Sequence, residues 1–436
     1  RDKIGVEIEL SITDFGSFNQ NTTLALSANE EIDVLACVGF PYATGIQQGY
    51  LSDLEENDLI QTYGQGIIDA VGQENVDACR VNGVLYGLPS NRDIAQGRGC
   101  AAIATEYLDG IGYEANTDDE IVKISLDELN DIYAQLHEKY PDKEVYRPTT
   151  GSMSQFSNVD SLGGNVFGVL LDYGQNLDVV NLFESDFYKD YCARLYDYNQ
   201  KGYISADAST DTTAVGELVK AGTLMSYTTG GKPGIKAQET TLTGRDMTIF
   251  QTLDDYISST SVASMPWTIP ISAQHKEAAM KFLNECYTNA DIANLLAWGI
   301  EGTHYKIGDD GLATYADGVD ASNSGWNHSM GWMMPNQFLT HVWEGNDPDL
   351  WTDMKEFNTN AKVSKASGFS FDSTNVANEL TAVQNVYNEY QTSVEYGFVD
   401  PETGIAEMND KMMTAGLQKI IDEKKAQLAA WQEANK

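Results

Sequence analysis

The sequence predicts a two-lobed α/β protein in which each lobe is a mostly parallel sheet flanked by helices, with added helices at the C-terminus. The chain has 436 residues, too many for a single compact core. Short apolar runs of strand length alternate with helical patterns along most of the chain. No Pro- or Ser-rich linker separates two halves. The chain is therefore expected to cross between the lobes more than once and to form a hinge there.

The first predicted unit is a strand, a helix and a second strand. Residues 6–12 alternate apolar and polar side chains, residues 22–28 have a helical pattern, and residues 32–38 form a nearly continuous apolar run. Such a run is typical of a buried parallel strand, so a right-handed βαβ crossover is expected.

Ligands of such sheets bind beyond the carboxyl ends of the strands. This rule places residues 14–16 and 39–42 at the mouth of a site. Phe40 and Tyr42 are therefore candidate ligand contacts.

Further strands follow along the middle of the chain. Residues 84–89 are a predicted short strand, and Asn91, Arg92 and Asp93, directly after it, are candidate ligand contacts. Residues 99–107 and 122–140 continue the alternation of strand and helix.

Another strand, at residues 224–227, leads into Thr228-Thr229-Gly230-Gly231-Lys232-Pro233-Gly234. A glycine turn before a helix presents free backbone N–H groups, which makes Tyr227 and Gly230 candidates as well. A plain turn is the alternative, and the full phosphate-loop pattern is absent.

Three helical patterns are clearest after residue 270. One apolar stripe at helical spacing consists of Ala279, Phe282, Leu283, Cys286 and Tyr287. Thr288 with Asp291 resembles a capping box for the next helix, which Gly299 is expected to end. A third stripe near the C-terminus ends before Gly397.

Two blocks of motif residues resemble a known family. The first runs from Met265-Pro266-Trp267-Thr268-Ile269-Pro270 through a helix to Gly299-Ile300-Glu301-Gly302. The second joins Gly368-Phe369-Ser370-Phe371-Asp372, a helix to Tyr390, and Gly397-Phe398-Val399-Asp400-Pro401. Both resemble the extracellular solute-binding proteins of bacterial ABC transporters, of the carbohydrate-type family 1. The second block resembles a C-terminal module found in one subgroup.

The resemblance implies a type II periplasmic-binding-protein-like fold. We expect an N-terminal lobe at residues 1–97 plus 258–310, and a C-terminal lobe, with the helical module, at residues 98–257 plus 311–436. The implied partners are a small solute and a transporter permease, and the implied state is a monomer. The implied location is the cell surface, as a Gram-positive-like lipoprotein. The lipidated cysteine, first strand and first helix with which the family usually opens are not found in this sequence.

Aromatic residues point to a carbohydrate ligand. The chain has 7 Trp, 23 Tyr and 14 Phe. Sugar rings stack on aromatic faces, while their hydroxyls need amides, carboxylates and Arg. Candidate contacts are Trp267, between two prolines, and Trp326, His328 and Trp332 in a glycine-bounded segment. Plain packing is the alternative for each, and it is the expectation for Trp298.

Other functions find little support in the sequence. The net charge of −38 repels nucleic-acid backbones and anionic membranes, although an acidic surface also simply maintains solubility. The five histidines lack HExxH spacing and the five cysteines lack CxxC spacing, so no metal, cofactor or disulfide framework is predicted.

No catalytic residue is predicted either, since 65 acidic residues make chance carboxylate pairs common and no Gly-x-Ser-x-Gly elbow occurs. Together with the resemblance, which implies an importer component, the prediction is a non-enzymatic protein that captures a mono- or oligosaccharide by lobe closure. The alternatives are a glycan-active hydrolase and a cell-surface lectin.

Overall fold

The computed structural model describes residues 4–13, 15–38, 40–114, 119–320, 323–326 and 331–434. Two compact units are found within the chain. Unit 1 contains Arg1–Ile94, Thr260–Trp351 and Ser367–Ser370, and unit 2 contains Ala95–Ser259, Thr352–Ala366 and Phe371–Lys436.

The chain passes between the units several times, first after Ile94 and again after Ser259. The boundaries expected from the sequence were 97/98 and 257/258. Residues 311–351, however, pack in unit 1 and not with the second lobe. They are held there because Asn294 Nδ2 of helix 290–298 donates to Leu339 O over 3.2 Å, and because His341 N donates to Asn294 Oδ1 over 2.8 Å.

The helices are numbered in chain order. They are α1 (Phe15–Ser27), α2 (Tyr42–Gln47), α3 (Leu59–Tyr63), α4 (Gln65–Val71), α5 (Gln73–Asp77), α6 (Thr105–Ile111), α7 (Leu126–Lys139), α8 (Ser152–Gln155), α9 (Asp186–Gln200), α10 (Val215–Lys220), α11 (Ile235–Thr243), α12 (Lys276–Thr288), α13 (Ala290–Trp298), α14 (Leu350–Asn360), α15 (Ala377–Glu395), α16 (Pro401–Ala415) and α17 (Leu417–Ala434). None of the helices in the described part of the chain is long and apolar enough to span a bilayer.

The strands are numbered in the same way. They are β1 (Leu35–Ala36), β2 (Arg80–Val81), β3 (Val84–Leu85), β4 (Gly87–Leu88), β5 (Gln96–Ala104), β6 (Val122–Lys123), β7 (Glu144–Arg147), β8 (Leu224–Gly231), β9 (Met247–Gln251), β10 (Asp255–Ile257), β11 (Trp267–Thr268), β12 (Tyr305–Ile307), β13 (Ala313–Tyr315) and β14 (Lys362–Val363).

Unit 1 is built on a small antiparallel sheet in the order β1-β11-β4. The predicted parallel βαβ unit is not formed in the described residues, because residues 6–12 are in no strand and β1 pairs antiparallel with β11. Ile8, Leu10 and Ile12 are exposed, so no packing partner supports their alternating pattern as a strand.

The core of unit 1 lies between this sheet and the helices α3, α4 and α12. The predicted stripe on α12 is confirmed for Ala279, Leu283, Cys286 and Tyr287, which are all buried, and Phe282 lies at its edge. Burying one such large apolar side chain stabilises the fold by roughly 1.5–3 kcal/mol.

The turn between α12 and α13 differs in its cap from the prediction. Asn289 is the N-cap, and its side chain accepts a hydrogen bond from Asp291 N over 3.1 Å. Thr288 is the last residue of α12, where its hydroxyl donates to Asn284 O, so it cannot cap the next helix. Gly299 ends α13 as predicted, at φ 84°, and a Cβ there would stand 2.4 Å from His304 Nδ1.

Unit 2 is built on a mixed sheet with β5 at its centre. β5 pairs antiparallel with β8 on one side. On its other side it pairs antiparallel with β10 near its start, at Gln96 and Gly97, and with β9 from Cys100 to Ala104. Parallel pairs β7–β8, β6–β9 and β10–β14 extend the sheet. The prediction of mostly parallel sheets is therefore wrong for strand direction. β5 carries the chain into unit 2 while β9 and β10 carry it back out, so they run in opposite directions.

A buried carboxylate joins the outgoing strand of unit 2 to the loop before α9. Asp160 is fully buried, and its Oδ2 accepts hydrogen bonds from Tyr256 Oη and Ser259 N, both at 2.9 Å. Its Oδ1 accepts from Ser259 Oγ at 2.6 Å and from Leu162 N at 3.0 Å. One side chain thus fixes the end of β10, where the chain leaves unit 2.

The C-terminal helices dock on unit 2 through buried polar groups as well as apolar ones. The Lys424 amine of α17 is fully buried and donates to Ser161 O and Gly168 O, both at 2.8 Å, and to Asn165 Oδ1 at 3.0 Å. A buried ammonium is stable only when such oxygens replace its water. This lysine therefore ties the last helix to the loop that follows Asp160.

The five cysteines are all buried and free. Burial raises the pKa of Cys37, Cys100 and Cys286 to about 12, and it raises that of Cys79 and Cys192 as well. The thiolate is the reactive form, so we expect the folded protein to react with the thiol reagent DTNB at least about 100-fold more slowly than the unfolded protein. Absorbance at 412 nm with and without guanidinium measures both rates. Fast labelling of a thiol in the folded protein would mean that its burial is wrongly assigned.

Candidate functional site

Three segments of unit 1 converge just beyond the end of β4. Ser90 Oγ donates to Met265 O over 3.3 Å, which ties this region to the segment before β11. On the other side, Asn91 N donates to Pro335 O over 2.8 Å, and Gln337 N donates to Asn91 O over 3.0 Å. We call the resulting area the unit 1 surface: residues 90–93, 264–267 and 331–337.

Arg92 and Asp93 form the charged part of the unit 1 surface. Their side chains are 13% and 9% exposed, and Arg92 Nη1 lies 3.8 Å from Asp93 Oδ1. Arg92 also donates from Nη2 to Ser264 Oγ over 2.8 Å. Burial lowers the pKa of Arg92, and the Asp93 carboxylate opposes that effect. The two opposite charges lie next to each other, and the Arg92 side chain is tied to the segment before β11.

Trp267 and Trp332 form the aromatic part of the same surface. Trp267 Nε1 donates to Met333 O over 3.2 Å, so the indole lies against the short 3₁₀ turn Gly331–Met333 that carries Trp332. Both indoles are half-buried. The structure therefore brings together five of the predicted ligand contacts, Asn91, Arg92, Asp93, Trp267 and Trp332. Their role in binding stays a prediction.

Trp326 lies at the end of α13, where its Nε1 donates to Leu296 O over 3.1 Å. Trp298, expected in the core, is half-buried and stacks at 4.6 Å between ring centroids on Trp343. The third predicted contact of the glycine-bounded segment, His328, lies outside the described residues.

Three predicted contacts are core residues in this structure. Phe40 is 1% exposed and packs in the apolar cluster of β1 and α2. Tyr42 belongs to the same cluster, and its hydroxyl donates to Cys79 O over 2.6 Å. Tyr227 is 3% exposed and donates to the buried Glu239. Covered rings with satisfied hydroxyls present no face to a ligand, because apolar burial against neighbouring helices determines their position.

The predicted mouth residues around these positions are only partly described. Residues 15–16 begin α1, while Asp14 and Gly39 lie outside the described residues.

Gly230 is part of β8 and not of a turn. β8 continues to Gly231, which pairs with Gly97 of β5, so the backbone there takes part in a sheet ladder. A Cβ on Gly230 would stand 2.5 Å from Gln96 Nε2, which shows how closely the two strands approach. The prediction of a free N–H cradle at this glycine is therefore wrong.

Sequence reasoning missed Arg98 of β5. Its Nη1 donates to Ser154 O over 2.9 Å, and its guanidinium lies 5.7 Å from the centre of the Tyr256 ring. Burial lowers the pKa of Arg98. The available signal was an arginine between two glycines, Gly97 and Gly99, at the start of a long strand.

One group in the described part of the chain has the geometry to hold a metal ion. Glu31, Asp33 and His275 each offer one ligand atom, and these atoms lie within 4.8 Å of one another. Two of the three residues are exposed and the site involves only three side chains, so it carries no functional conclusion here.

The two units and their repeated crossings define a type II periplasmic-binding-protein-like fold, and comparison with known structures confirms this class. The N-glycan transport solute-binding protein (NgtS) of Streptococcus pneumoniae matches with a TM-score of 0.85 at 22% identity, over 100% of this chain and 94% of that one. The same protein in complex with Man5GlcNAc matches with a TM-score of 0.74 at 22% identity, over 100% and 93% of the two chains. An HMO-binding solute-binding protein of Bifidobacterium longum infantis matches with a TM-score of 0.63 at 16% identity, over 95% and 91%.

Sequence comparison gives a relative of the same kind. A carbohydrate ABC transporter substrate-binding protein of S. pneumoniae serotype 4 is 25% identical over 443 residues, which cover 98% of this chain and 84% of the relative. The model of a domain of unknown function, DUF3502, matches residues 365–433, where the C-terminal module was predicted. The resemblance to the solute-binding proteins of ABC transporters, predicted from the two motif blocks, is confirmed.

Proposed function

We propose that this protein is the substrate-binding component of an ABC importer and captures a mono- or oligosaccharide. The observation that carries the proposal is the unit 1 surface, where the half-buried Trp267 indole contacts the turn that carries Trp332, and where Arg92 and Asn91 bond to the same two segments. Indole faces stack on sugar C–H faces, and the neighbouring amide, guanidinium and carboxylate satisfy hydroxyl groups. The kind of relative found supports the same function.

The proposed mechanism is capture without chemical conversion. The solute stabilises a closed arrangement of the two units, and it shifts the population only by the difference between its affinities for the closed and open states. No catalytic residue takes part in this scheme. The closed form then passes the solute to a membrane permease.

The proposed location follows from this role. A substrate-binding component faces the outside of the cell, and we propose that a lipid anchor holds it near its permease. We also propose that it works as a monomer, because a single chain supplies both units.

Calorimetry with a panel of mono-, di- and oligosaccharides, combined with small-angle scattering, tests the function. We expect binding to at least one saccharide and a smaller radius of gyration in its presence. Release of cleavage products would instead indicate a hydrolase. Binding to immobilised glycans with no compaction would indicate a lectin, and no binding at all would contradict the proposal.

Replacing Trp332 by alanine tests the aromatic part of the site. We expect about 2- to 12-fold weaker saccharide binding, because one aromatic stacking contact contributes about 0.5–1.5 kcal/mol. Trp332→Phe should retain most of the affinity, since it keeps an aromatic face. The matched control is Trp431→Ala on α17 of unit 2, which should bind as the wild type does. Equal affinity of Trp332→Ala and wild type would remove this indole from the site.

A further inference from the structure

We propose that Arg98 recognises a carboxylate group, so that the captured saccharide is an acidic one that contains a uronic-acid unit. The inference rests on the proposed function and names the class of its ligand. It is argued from the hydrogen-bond and ion-pair partners of the Arg98 guanidinium in unit 2.

Arg98 differs from most other arginines of the chain in its partners. Among the described residues, Arg80, Arg92, Arg147 and Arg245 each lie in an ion pair with a carboxylate. Arg98 is in no such pair within the part of the chain that the structure describes, although the sequence has 65 acidic residues. Its Nη1 donates to a backbone carbonyl, and its buried Nε has no hydrogen-bond partner among the described residues.

Asp160 of unit 2 acts electrostatically on Arg98, but its carboxylate oxygens already accept hydrogen bonds from other groups. Asp160 accepts four hydrogen bonds, from Tyr256, Ser259 and Leu162. The guanidinium carbon of Arg98 lies 5.7 Å from the centre of the Tyr256 ring, within cation–π range. An oriented guanidinium with unused N–H groups is suited to a planar, two-oxygen acceptor, and a carboxylate has this shape.

Polar groups around Arg98 suit the rest of a sugar acid. The side-chain Oε1 of Gln155, next to Ser154 on α8, is buried and has no hydrogen-bond partner among the described residues. It can accept from a hydroxyl group. Gln96, two residues before Arg98 on β5, places its amide beside Gly230, where any larger side chain would collide with it. A donor for a carboxylate and an acceptor for a hydroxyl thus lie in one region of unit 2.

Matched pairs of oligosaccharides test the inference. Each pair differs only at C6, which is a hydroxymethyl group in the neutral member and a carboxylate in the acidic member, and the pairs cover the gluco, manno and galacto series. We expect the wild type to bind an acidic member about 10- to 100-fold more tightly than its neutral partner, since a hydrogen-bonded charge pair contributes on that scale. Added salt should reduce this preference.

Substitutions then assign the preference to one residue. R98Q should lower the ratio of acidic to neutral affinity to about one, while R98K, which keeps the charge but not the planar fork, should retain part of it. The control is R194Q, because Arg194 is also outside ion pairs among the described residues and stacks on Phe156 and Tyr191 of the same unit. It should keep the wild-type ratio. Melting curves of all variants verify that they are folded.

Several outcomes would overturn the inference. Equal binding of both members of a pair, or an unchanged ratio in R98Q, would remove Arg98 from ligand recognition while the proposed function stands. Tighter binding of a sulfated disaccharide than of any uronic acid would mean that Arg98 recognises a sulfate group and not a carboxylate. No binding to any member would contradict the proposed function itself.

Discussion

Replacing Asp160 by alanine is expected to destabilise unit 2 by about 3–5 kcal/mol, the largest effect that we predict for a single substitution. The side chain is fully buried and accepts four hydrogen bonds. Its removal takes this acceptor from four buried donors, which are the backbone N–H groups of Leu162 and Ser259 and the hydroxyls of Tyr256 and Ser259. Each buried donor left unsatisfied costs about 1–3 kcal/mol. Calorimetry measures the loss, because six of the seven tryptophans lie in unit 1 and fluorescence would report mainly on that unit.

Hydrogen exchange locates the same effect within the fold. The amides of Leu162 and Ser259 should lose protection in the variant, since both donate to Asp160 in the wild type. Asp178→Ala is the control, because its carboxylate is exposed in the same unit and should change the stability by less than about 0.5 kcal/mol. Unchanged melting of Asp160→Ala would show that water or a rearranged loop satisfies the donors.

The second large effect is a pH dependence of stability at Glu395. This residue of α15 is 1% exposed, and burial raises its pKa from 4.5 to about 7. Hydrogen bonds from Tyr387 and Gln391 oppose this shift but do not cancel it. A carboxyl whose folded pKa is raised binds its proton more tightly in the folded state. Its contribution is therefore complete below about pH 4.5 and is lost as the pH rises through 7, for a total of about 3 kcal/mol.

A difference measurement isolates this contribution from the general repulsion of an acidic chain. The unfolding free energy of the wild type minus that of Glu395→Gln should fall by about 3 kcal/mol between pH 4.5 and 8, because the amide does not titrate. Urea denaturation at several pH values gives both quantities. Glu389→Gln is the control on the same helix, where the side chain is 66% exposed. If the difference in unfolding free energy between wild type and Glu395→Gln does not change with pH, the Glu395 carboxyl has the same pKa in the folded and unfolded states.

Local patterns were enough to predict some elements of the fold and to choose candidate ligand contacts. The apolar stripe on α12 and the end of α13 at Gly299 depend on neighbouring residues of one helix, so spacing alone predicts them. The polar run after β4 and the tryptophan-rich segment were chosen as candidates by residue type. The structure adds that Asn91, Arg92 and Asp93 meet Trp267 and Trp332 on one surface.

Other predictions failed because they depend on contacts between distant residues. Phe40, Tyr42 and Tyr227 have the chemistry of ligand contacts, but they pack in the core. Nothing in their sequence neighbourhood distinguishes a covered ring from an exposed one. Gly230 illustrates the same problem for the backbone, because its segment is a strand only through pairing with β5, more than 120 residues earlier.

The sequence by itself determined the class of this protein, its strongest helices and the kinds of residue that a sugar site needs. The class follows from the resemblance of the two motif blocks to a known family, while the helices and the residue types follow from short-range periodicity and composition. The tertiary structure decided the direction of the strands, the place of residues 311–351 in unit 1 and the partners of Arg98 and Asp160. Each of these depends on which remote groups share hydrogen bonds and burial, and such pairings exist only once the chain has folded.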